Sequence, residues 1–238
     1  MSNIEQDLRE KLAATHHVIH YNGWDDLLAT HISVRVPDTD HILITPMDVA
    51  FECVSASKLI KCDLSGNIIS DNGQALMPQA INIHGELYKR TNIMSAIHTH
   101  SLYGSAVSAL EEGLLFLTQE SLRFYNDVAY CDYGGLALEN EGKRIAAVLE
   151  HERVAILRNH GLLSTGRSIE EALYLHYYLE FACELQIKIM ATNSKLVPIS
   201  EAMCQQTKAQ FDSILTPEYE FNALVQRIEG LSEVDYRE

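Results

Sequence analysis

Two histidines separated by one residue, His98 and His100, are the sharpest chemical feature of this sequence. They lie in a predicted β-strand, where side chains two residues apart share a face. Both imidazoles therefore point toward one place, as two ligands of a single metal ion must. The same spacing also fits a polar edge strand, so at this stage both interpretations stay open.

A third histidine, His160, can complete such a site. It follows a predicted buried strand in the run Arg158-Asn159-His160-Gly161, where the chain must turn sharply. Three imidazoles with a fourth position open to water or substrate are typical of a catalytic zinc site rather than a structural one. Zinc is the first expectation, and manganese, cobalt, nickel or iron would also fit three imidazoles.

Hydrophobic periodicity predicts the elements that must position these histidines. Early hairpins followed by alternating helices and strands predict an α/β fold, with a mixed sheet covered by helices on both sides. No linker or repeat divides the chain, so we predict a single domain over residues 1–238, with residues 190–238 as C-terminal helices. Strands are predicted over 31–36, 42–44, 59–62, 68–69, 93–100 and 154–158, and helices up to residue 22, over 79–90, from Ser101, from Ser168 to about 191, and in two C-terminal segments.

Composition and charge exclude several classes of partner. Lys plus Arg number 18 against 33 Asp plus Glu, so the formal charge of −15 argues against nucleic-acid binding. The apolar runs are shorter than the about 18 residues that would span a bilayer, which predicts no membrane partner. The five cysteines contain no Cys-x-x-Cys pair and the first residues lack a signal-peptide pattern, so we predict a cytoplasmic location and free thiols.

From about residue 5 to residue 192 the chain resembles the class II aldolase/adducin family. The resemblance rests on several short runs whose order and separation are specific. These runs are Gly23-Trp24, His31-Ile32-Ser33-Val34-Arg35-Val36, Ile97-His98-Thr99-His100-Ser101, Tyr130-Cys131-Asp132-Tyr133, Leu157-Arg158-Asn159-His160-Gly161-Leu162 and Ser168-Ile169-Glu170-Glu171-Ala172.

The resemblance implies both an architecture and a metal site. It implies a three-layer α/β/α sandwich around a mixed, mostly antiparallel central sheet. It also implies a cyclic homotetramer with sites for a small-molecule substrate at its subunit interfaces. The divalent metal of the family would be held by His98, His100 and His160.

The chemistry that the family implies follows from the metal. Cleaving a carbon–carbon bond next to a carbonyl leaves a carbanion. The free energy of this carbanion is prohibitively high unless its negative charge moves to oxygen. A metal on the carbonyl accepts that charge as an enolate or enediolate. The same arrangement would serve aldol cleavage, decarboxylation or epimerisation by retro-aldol reaction and re-addition.

The sequence departs from the sugar-phosphate aldolases of this family at four positions. Those enzymes carry a glutamate after the proline that precedes the His-x-His strand, whereas this chain has Gln79 and Ala80 after Pro78, which also replace the family's phosphate-binding serines. His31 stands where phosphate binders have asparagine, which makes it a substrate-contact candidate. Asp48 would repel a phosphate. These changes resemble the adducin-like branch and predict a non-phosphorylated substrate.

The missing glutamate requires another group for proton transfer. Glu120 lies in a segment where relatives often place a second carboxylate, although a surface or helix-packing glutamate explains it equally well. Tyr133 matches a family tyrosine that can donate a proton from a neighbouring subunit. Aromatic packing is the alternative for Tyr133.

Two functions from different classes are compatible with this sequence. The first is a metal-dependent carbon–carbon lyase, an aldolase or a decarboxylase, acting on a small non-phosphorylated hydroxy or keto carbonyl compound. The alternative is an adducin-like binding or scaffold domain that keeps the metal site without turnover. The three histidines favour the enzyme, and the missing glutamate favours the scaffold.

Overall fold

The computed structural model describes residues 3–70, 72–90, 92–136, 140–231 and 234–238. Eight strands of this described part form one sheet. The strands are β1 (His31–Arg35), β2 (His41–Ile44), β3 (Ile60–Asp63), β4 (Ile68–Ser70), β5 (Ser95–Thr99), β6 (Val128–Cys131), β7 (Val154–Leu157) and β8 (Gly161–Gly166).

The strand order across the sheet is β4-β3-β2-β1-β5-β8-β7-β6. Every neighbouring pair runs antiparallel except β6 and β7, which are parallel. The predicted mixed, mostly antiparallel sheet is therefore confirmed. Strand β5, which carries His98, lies between β1 and β8, so its backbone is hydrogen-bonded on both edges.

Helices cover both faces of the sheet, which confirms the three-layer α/β/α architecture. Helices α1, α3, α5 and α7 pack on one face, and α2 and α4 pack on the other. Within the described ranges, none is both long and apolar enough to cross a membrane. Their bounds are α1 (Asn3–Tyr21), α2 (Pro78–Leu87), α3 (Leu102–Ser108), α4 (Glu141–Val148), α5 (Ile169–Met190), α6 (Glu201–Ser213) and α7 (Pro217–Ile228).

The alternation along β5 decides which layer each side chain faces. Ile97 packs in the core beneath α1, α5 and α7, whereas Ala96 packs in the core beneath α2 and α4. Because strand residues alternate, His98 projects toward the α2/α4 side and Thr99 toward α5. The same two-residue period brings His100 to the side of His98.

Two predicted helix starts are confirmed by their capping hydrogen bonds. The Ser168 side chain accepts a hydrogen bond from the Glu171 backbone N–H at the start of α5. Ser101 does the same for Gly104 at the start of α3. In both, a side-chain oxygen satisfies a backbone donor that the first turn of a helix leaves unpaired.

Two strands and one α-helix of the described part were not predicted from the sequence: β6, β8 and α4. The most consequential is β8, which pairs with β5 along the whole length of β5. Strand β5 is also shorter than the predicted range 93–100, and it ends at Thr99. His100 therefore lies just beyond the end of the strand, where the chain leaves the sheet.

Candidate metal centre

The three predicted histidines converge on one point. The Nε2 atoms of His98 and His100 are 2.9 Å apart, and those of His160 and His100 are also 2.9 Å apart. All three nitrogens lie within 4.8 Å of one another. The two 2.9 Å separations suit nitrogens that each lie about 2.0–2.1 Å from a shared ion.

The turn between β7 and β8 delivers the third imidazole. Asn159 adopts a left-handed backbone conformation with φ of 56°, which reverses the chain so that His160 faces His100. Gly161 follows, and a Cβ atom there would collide with the Thr99 carbonyl oxygen. The close approach of β8 to β5 therefore requires glycine at this position.

Each imidazole is oriented through its other ring nitrogen. Nδ1 of His98 lies 2.8 Å from the Leu162 carbonyl oxygen, and Nδ1 of His100 lies 2.7 Å from Asp26 Oδ2. Nδ1 of His160 lies 3.3 Å from Glu141 Oε1. Since a carbonyl only accepts, Nδ1 of His98 carries the proton and its Nε2 presents a lone pair. Such oxygen partners are typical of metal-binding histidines.

Burial favours the neutral form of two of these imidazoles, those of His98 and His160. Burial lowers the pKa of His98 well below its usual range, and the neighbouring imidazoles lower it further. The pKa of His160 falls to about 4, first because of burial and then because of repulsion from His100. Both rings are therefore neutral near pH 7, which is the form that binds a metal.

The two supporting carboxylates, Asp26 and Glu141, were not predicted from the sequence. Asp26 follows the Gly23-Trp24 run by two residues, so its position near a family motif was an available signal. Burial raises the pKa of Asp26, but hydrogen bonds from His100 and Thr30 outweigh this and leave it lowered. Burial also raises the pKa of Glu141.

We expect Asp26→Ala to weaken metal binding by about 10–100-fold, because Nδ1 of His100 would lose the acceptor that orients its ring. Titration of the metal-free protein against a chromogenic chelator measures this loss. Asp25→Ala is the matched control, since Asp25 pairs with His20 rather than with the three histidines. Equal weakening by both substitutions would contradict the expectation.

His31, the predicted substrate contact, lies beside the metal centre but is buried. It pairs with His98 across β1 and β5, and the two rings are 4.9 Å apart at their centroids. Its Nδ1 lies 2.7 Å from Nε2 of His84. The Ser33 hydroxyl lies 2.5 Å from Nδ1 of His84 and 2.7 Å from the Tyr88 hydroxyl, which extends this hydrogen-bonded chain. Contact with substrate stays a prediction for His31.

Tyr133, one of the two predicted proton donors, lies on the loop after β6 next to His160. Both residues line a small cavity of about 10 Å³ together with Glu141 and Arg144. The Tyr133 side chain is 55% exposed, so it is accessible to a substrate or to another subunit.

Glu120, the other predicted proton donor, lies away from the three histidines of its own chain. Its carboxylate is 3.3 Å from the Arg123 guanidinium, which stacks on Tyr178 and Phe211 at 3.7 Å from each ring centroid. Among the described residues, no contact joins Glu120 to the three histidines. A role at the metal centre would therefore require a Glu120 from another subunit, and it stays a prediction.

A second group of potential ligands lies on the surface near the end of α1. His20 Nδ1 is 3.1 Å from Asp25 Oδ2 and 3.5 Å from Glu52 Oε2. His20 and Glu52 are both about half exposed, at 44% and 46% of their side-chain area. Exposed groups of acidic side chains like this one are common on protein surfaces without a metal ion.

The fold and the centre together define an α/β/α protein with three convergent histidines. Residues 10–187 match the family model described as class II aldolase and adducin N-terminal domain. A match over this share of the chain shows that the protein belongs to the class II aldolase/adducin family, which confirms the resemblance noted in the sequence.

Relatives from both branches of the family are similar to this chain. A provisionally named aldolase class 2 protein of Pseudomonas aeruginosa is 37% identical over 201 residues, covering 84% of this chain and 78% of the relative. Alpha-adducin of Mus musculus is 38% identical over 194 residues, covering 79% of this chain but only 26% of the adducin. Sequence identity alone therefore does not separate the aldolase from the adducin relatives.

Two solved structures share the fold along their whole length. An aldolase II superfamily protein from Pseudomonas syringae is 36% identical with a TM-score of 0.94, covering 100% of this chain and 98% of the other. L-fuculose 1-phosphate aldolase from Glaciozyma antarctica PI12 is 29% identical with a TM-score of 0.89, covering 100% and 96%.

Proposed function

We propose that this protein is a metal-dependent carbon–carbon lyase, an aldolase or a decarboxylase, that acts on a small non-phosphorylated hydroxy or keto carbonyl compound. One observation carries the proposal: three imidazole Nε2 atoms converge, and a protein oxygen lies beside Nδ1 of each ring. Zinc is the metal we expect first, and manganese, cobalt, nickel or iron would suit the same donors.

His98, His100 and His160 would hold the ion. When bound, the metal would act as a Lewis acid on a carbonyl oxygen and take up the negative charge that develops as the adjacent carbon–carbon bond breaks. The chain contributes three imidazoles whose directions are fixed by Leu162, Asp26 and Glu141. A substrate would approach from the side of His100 and His160, since both are partly exposed.

A proton must also reach the carbon that loses its partner. We propose that the Tyr133 hydroxyl, beside His160, supplies this proton together with a Glu120 carboxyl from a neighbouring subunit. The exposure of Tyr133 and its place in the same cavity as His160 support this assignment. The position of Glu120 in one chain makes the subunit interface a necessary part of the proposal.

Two surface positions support a substrate without phosphate. Asp48 is exposed, and its carboxylate accepts a hydrogen bond from the Ala75 backbone N–H just before α2. Gln79, in the first turn of α2, is exposed and carries no charge. The negative charge of the Asp48 carboxylate disfavours binding of a dianionic phosphate group near it. The substrate named for the Glaciozyma antarctica enzyme is therefore not the one we propose here.

The alternative function is a binding or scaffold domain that keeps the metal site without turnover. The adducins in the family and the uncharged Gln79 favour this alternative. The intact set of three histidines favours the enzyme. Turnover itself decides between the two functions.

The experiment that tests the lyase proposal is an assay of aldehyde and carbon dioxide release. Protein loaded with zinc, manganese or cobalt is incubated with a panel of non-phosphorylated hydroxy and keto acids. We expect release from at least one compound and loss of release after chelation. A loaded protein that turns over no member of the panel would favour the scaffold function.

We expect the protein to form a homotetramer, as the family resemblance implies, and a proton donor supplied by a neighbouring subunit requires at least a dimer. Multi-angle light scattering should report four times the chain mass of 26.8 kDa. A mass of one chain at micromolar concentration would contradict the shared-site arrangement.

A further inference from the structure

A buried carboxylate lies behind the metal-site strand, on the opposite face of the sheet from the histidines. Glu180, on α5, is 2% exposed. Its Oε1 accepts a hydrogen bond from the Thr99 hydroxyl at 2.9 Å, and its Oε2 accepts one from the Ser101 hydroxyl at 2.6 Å. Burying a carboxylate is costly unless such hydrogen bonds compensate for the lost water.

The two donors flank one metal-site histidine. Thr99 precedes His100 and Ser101 follows it, and both side chains are almost completely buried. One carboxylate therefore bridges the residues on either side of His100. Because Ser101 also caps α3, this bridge fixes the point where the chain leaves β5 and enters the helix.

The same hydrogen-bond network also contacts the segment that carries Asp26, the side-chain partner of His100. His176, one turn before Glu180, has Nε2 3.1 Å from the Thr99 hydroxyl and 3.3 Å from Glu180 Oε1. Its ring contacts the Trp24 ring in a T-shaped arrangement, with the ring centroids 6.1 Å apart. Trp24 lies two residues before Asp26, which accepts the hydrogen bond from Nδ1 of His100.

We propose that Glu180 is a positioning residue that sets the place of His100 for metal binding, an inference that rests on the proposed metal centre. It acts on the backbone through Thr99 and Ser101, and with His176 it supports the loop that carries Asp26. An apolar side chain would fill the core without holding these hydroxyls. A displacement of a ligand by about 1 Å is enough to impair a site of this kind.

The test compares Glu180→Gln with the wild-type protein and with Glu184→Gln. Glutamine keeps the shape of the side chain, but its NH₂ group cannot accept the hydrogen bond that the second hydroxyl donates to the carboxylate. Glu184 lies one turn further along α5 and pairs with Lys188 on the surface, so it is a matched control. The probes are zinc affinity by chelator competition, the visible spectrum of the cobalt-loaded protein, and thermal unfolding of the metal-free protein.

We expect Glu180→Gln to bind zinc about 10–100-fold more weakly and to shift the cobalt spectrum, as for loss of an outer-shell partner. Glu184→Gln should behave as wild type. A Glu180→Gln protein that unfolds at a lower temperature but keeps wild-type affinity and spectrum would overturn the inference, because its role would then be structural only.

A second variant keeps the inference testable if Glu180→Gln fails to fold. Thr99→Val removes one donor and keeps the side-chain shape, so we expect a smaller loss of zinc affinity and a shifted cobalt spectrum. Wild-type values for this variant would overturn the inference about Glu180 and leave the proposed metal centre standing. A wild-type protein that binds no zinc would overturn the metal proposal and this inference with it.

Discussion

Replacing His100 by alanine is expected to remove the metal from the protein. The Nε2 atom of His100 lies 2.9 Å from each of the other two, so it occupies the middle of the centre. The two remaining imidazoles leave the site incomplete. We therefore expect metal affinity to fall by more than about 100-fold, the upper end of the loss seen when a hydrogen-bond partner of a metal ligand is removed. Mass spectrometric metal analysis after gel filtration measures metal per chain.

The matched control for this prediction is His20→Ala. His20 belongs to the other group of potential ligands, with Asp25 and Glu52, on the surface. We expect His20→Ala to retain about one equivalent of metal per chain and the His100 variant to retain almost none. The opposite pattern would place the metal at the surface group and contradict the assignment.

Removing either proton donor is expected to slow turnover strongly while the metal stays bound. We expect Tyr133→Phe and Glu120→Gln each to lower kcat by about 10²–10⁴-fold, the usual effect of a lost acid or base. Neither residue contacts the metal-site histidines through a described hydrogen bond, so metal content should equal that of the wild type. The substrate is the compound that the release assay identifies.

Glu112→Gln is the control for this pair, since Glu112 is an exposed carboxylate in the segment that precedes Glu120. Its turnover should equal that of the wild type. Normal turnover by Glu120→Gln would show that Glu120 takes no part in proton transfer. If Tyr133→Phe were also unaffected, the proton would have to come from another group.

The parts of the fold that followed from the sequence are those with a clear period. Strand β1 alternates apolar and polar residues, and α5 has both a serine cap and a long apolar pattern. Strand β8 was missed because Gly161 and Gly166 bound a short run that contains Ser164 and Thr165. All six of its residues are buried, so tertiary packing rather than local pattern determines this strand.

The candidate site followed from the sequence only where ligands lie close together in the chain or match a family motif. The alternation of a strand placed His98 and His100 together, and the family resemblance added His160. Asp26 and Glu141 come from distant segments, and only the folded chain brings them to the histidines. The Glu180 bridge was not predicted for the same reason, since Glu180 lies 81 residues beyond Thr99 in the chain.

The most direct test of the metal centre is anomalous diffraction from crystals of the zinc-loaded protein, recorded on both sides of the zinc absorption edge. We predict one strong peak per chain, about 2.0–2.1 Å from the Nε2 atoms of His98, His100 and His160. The absence of a peak between these three nitrogens, in crystals whose zinc content is verified, would contradict the proposed centre.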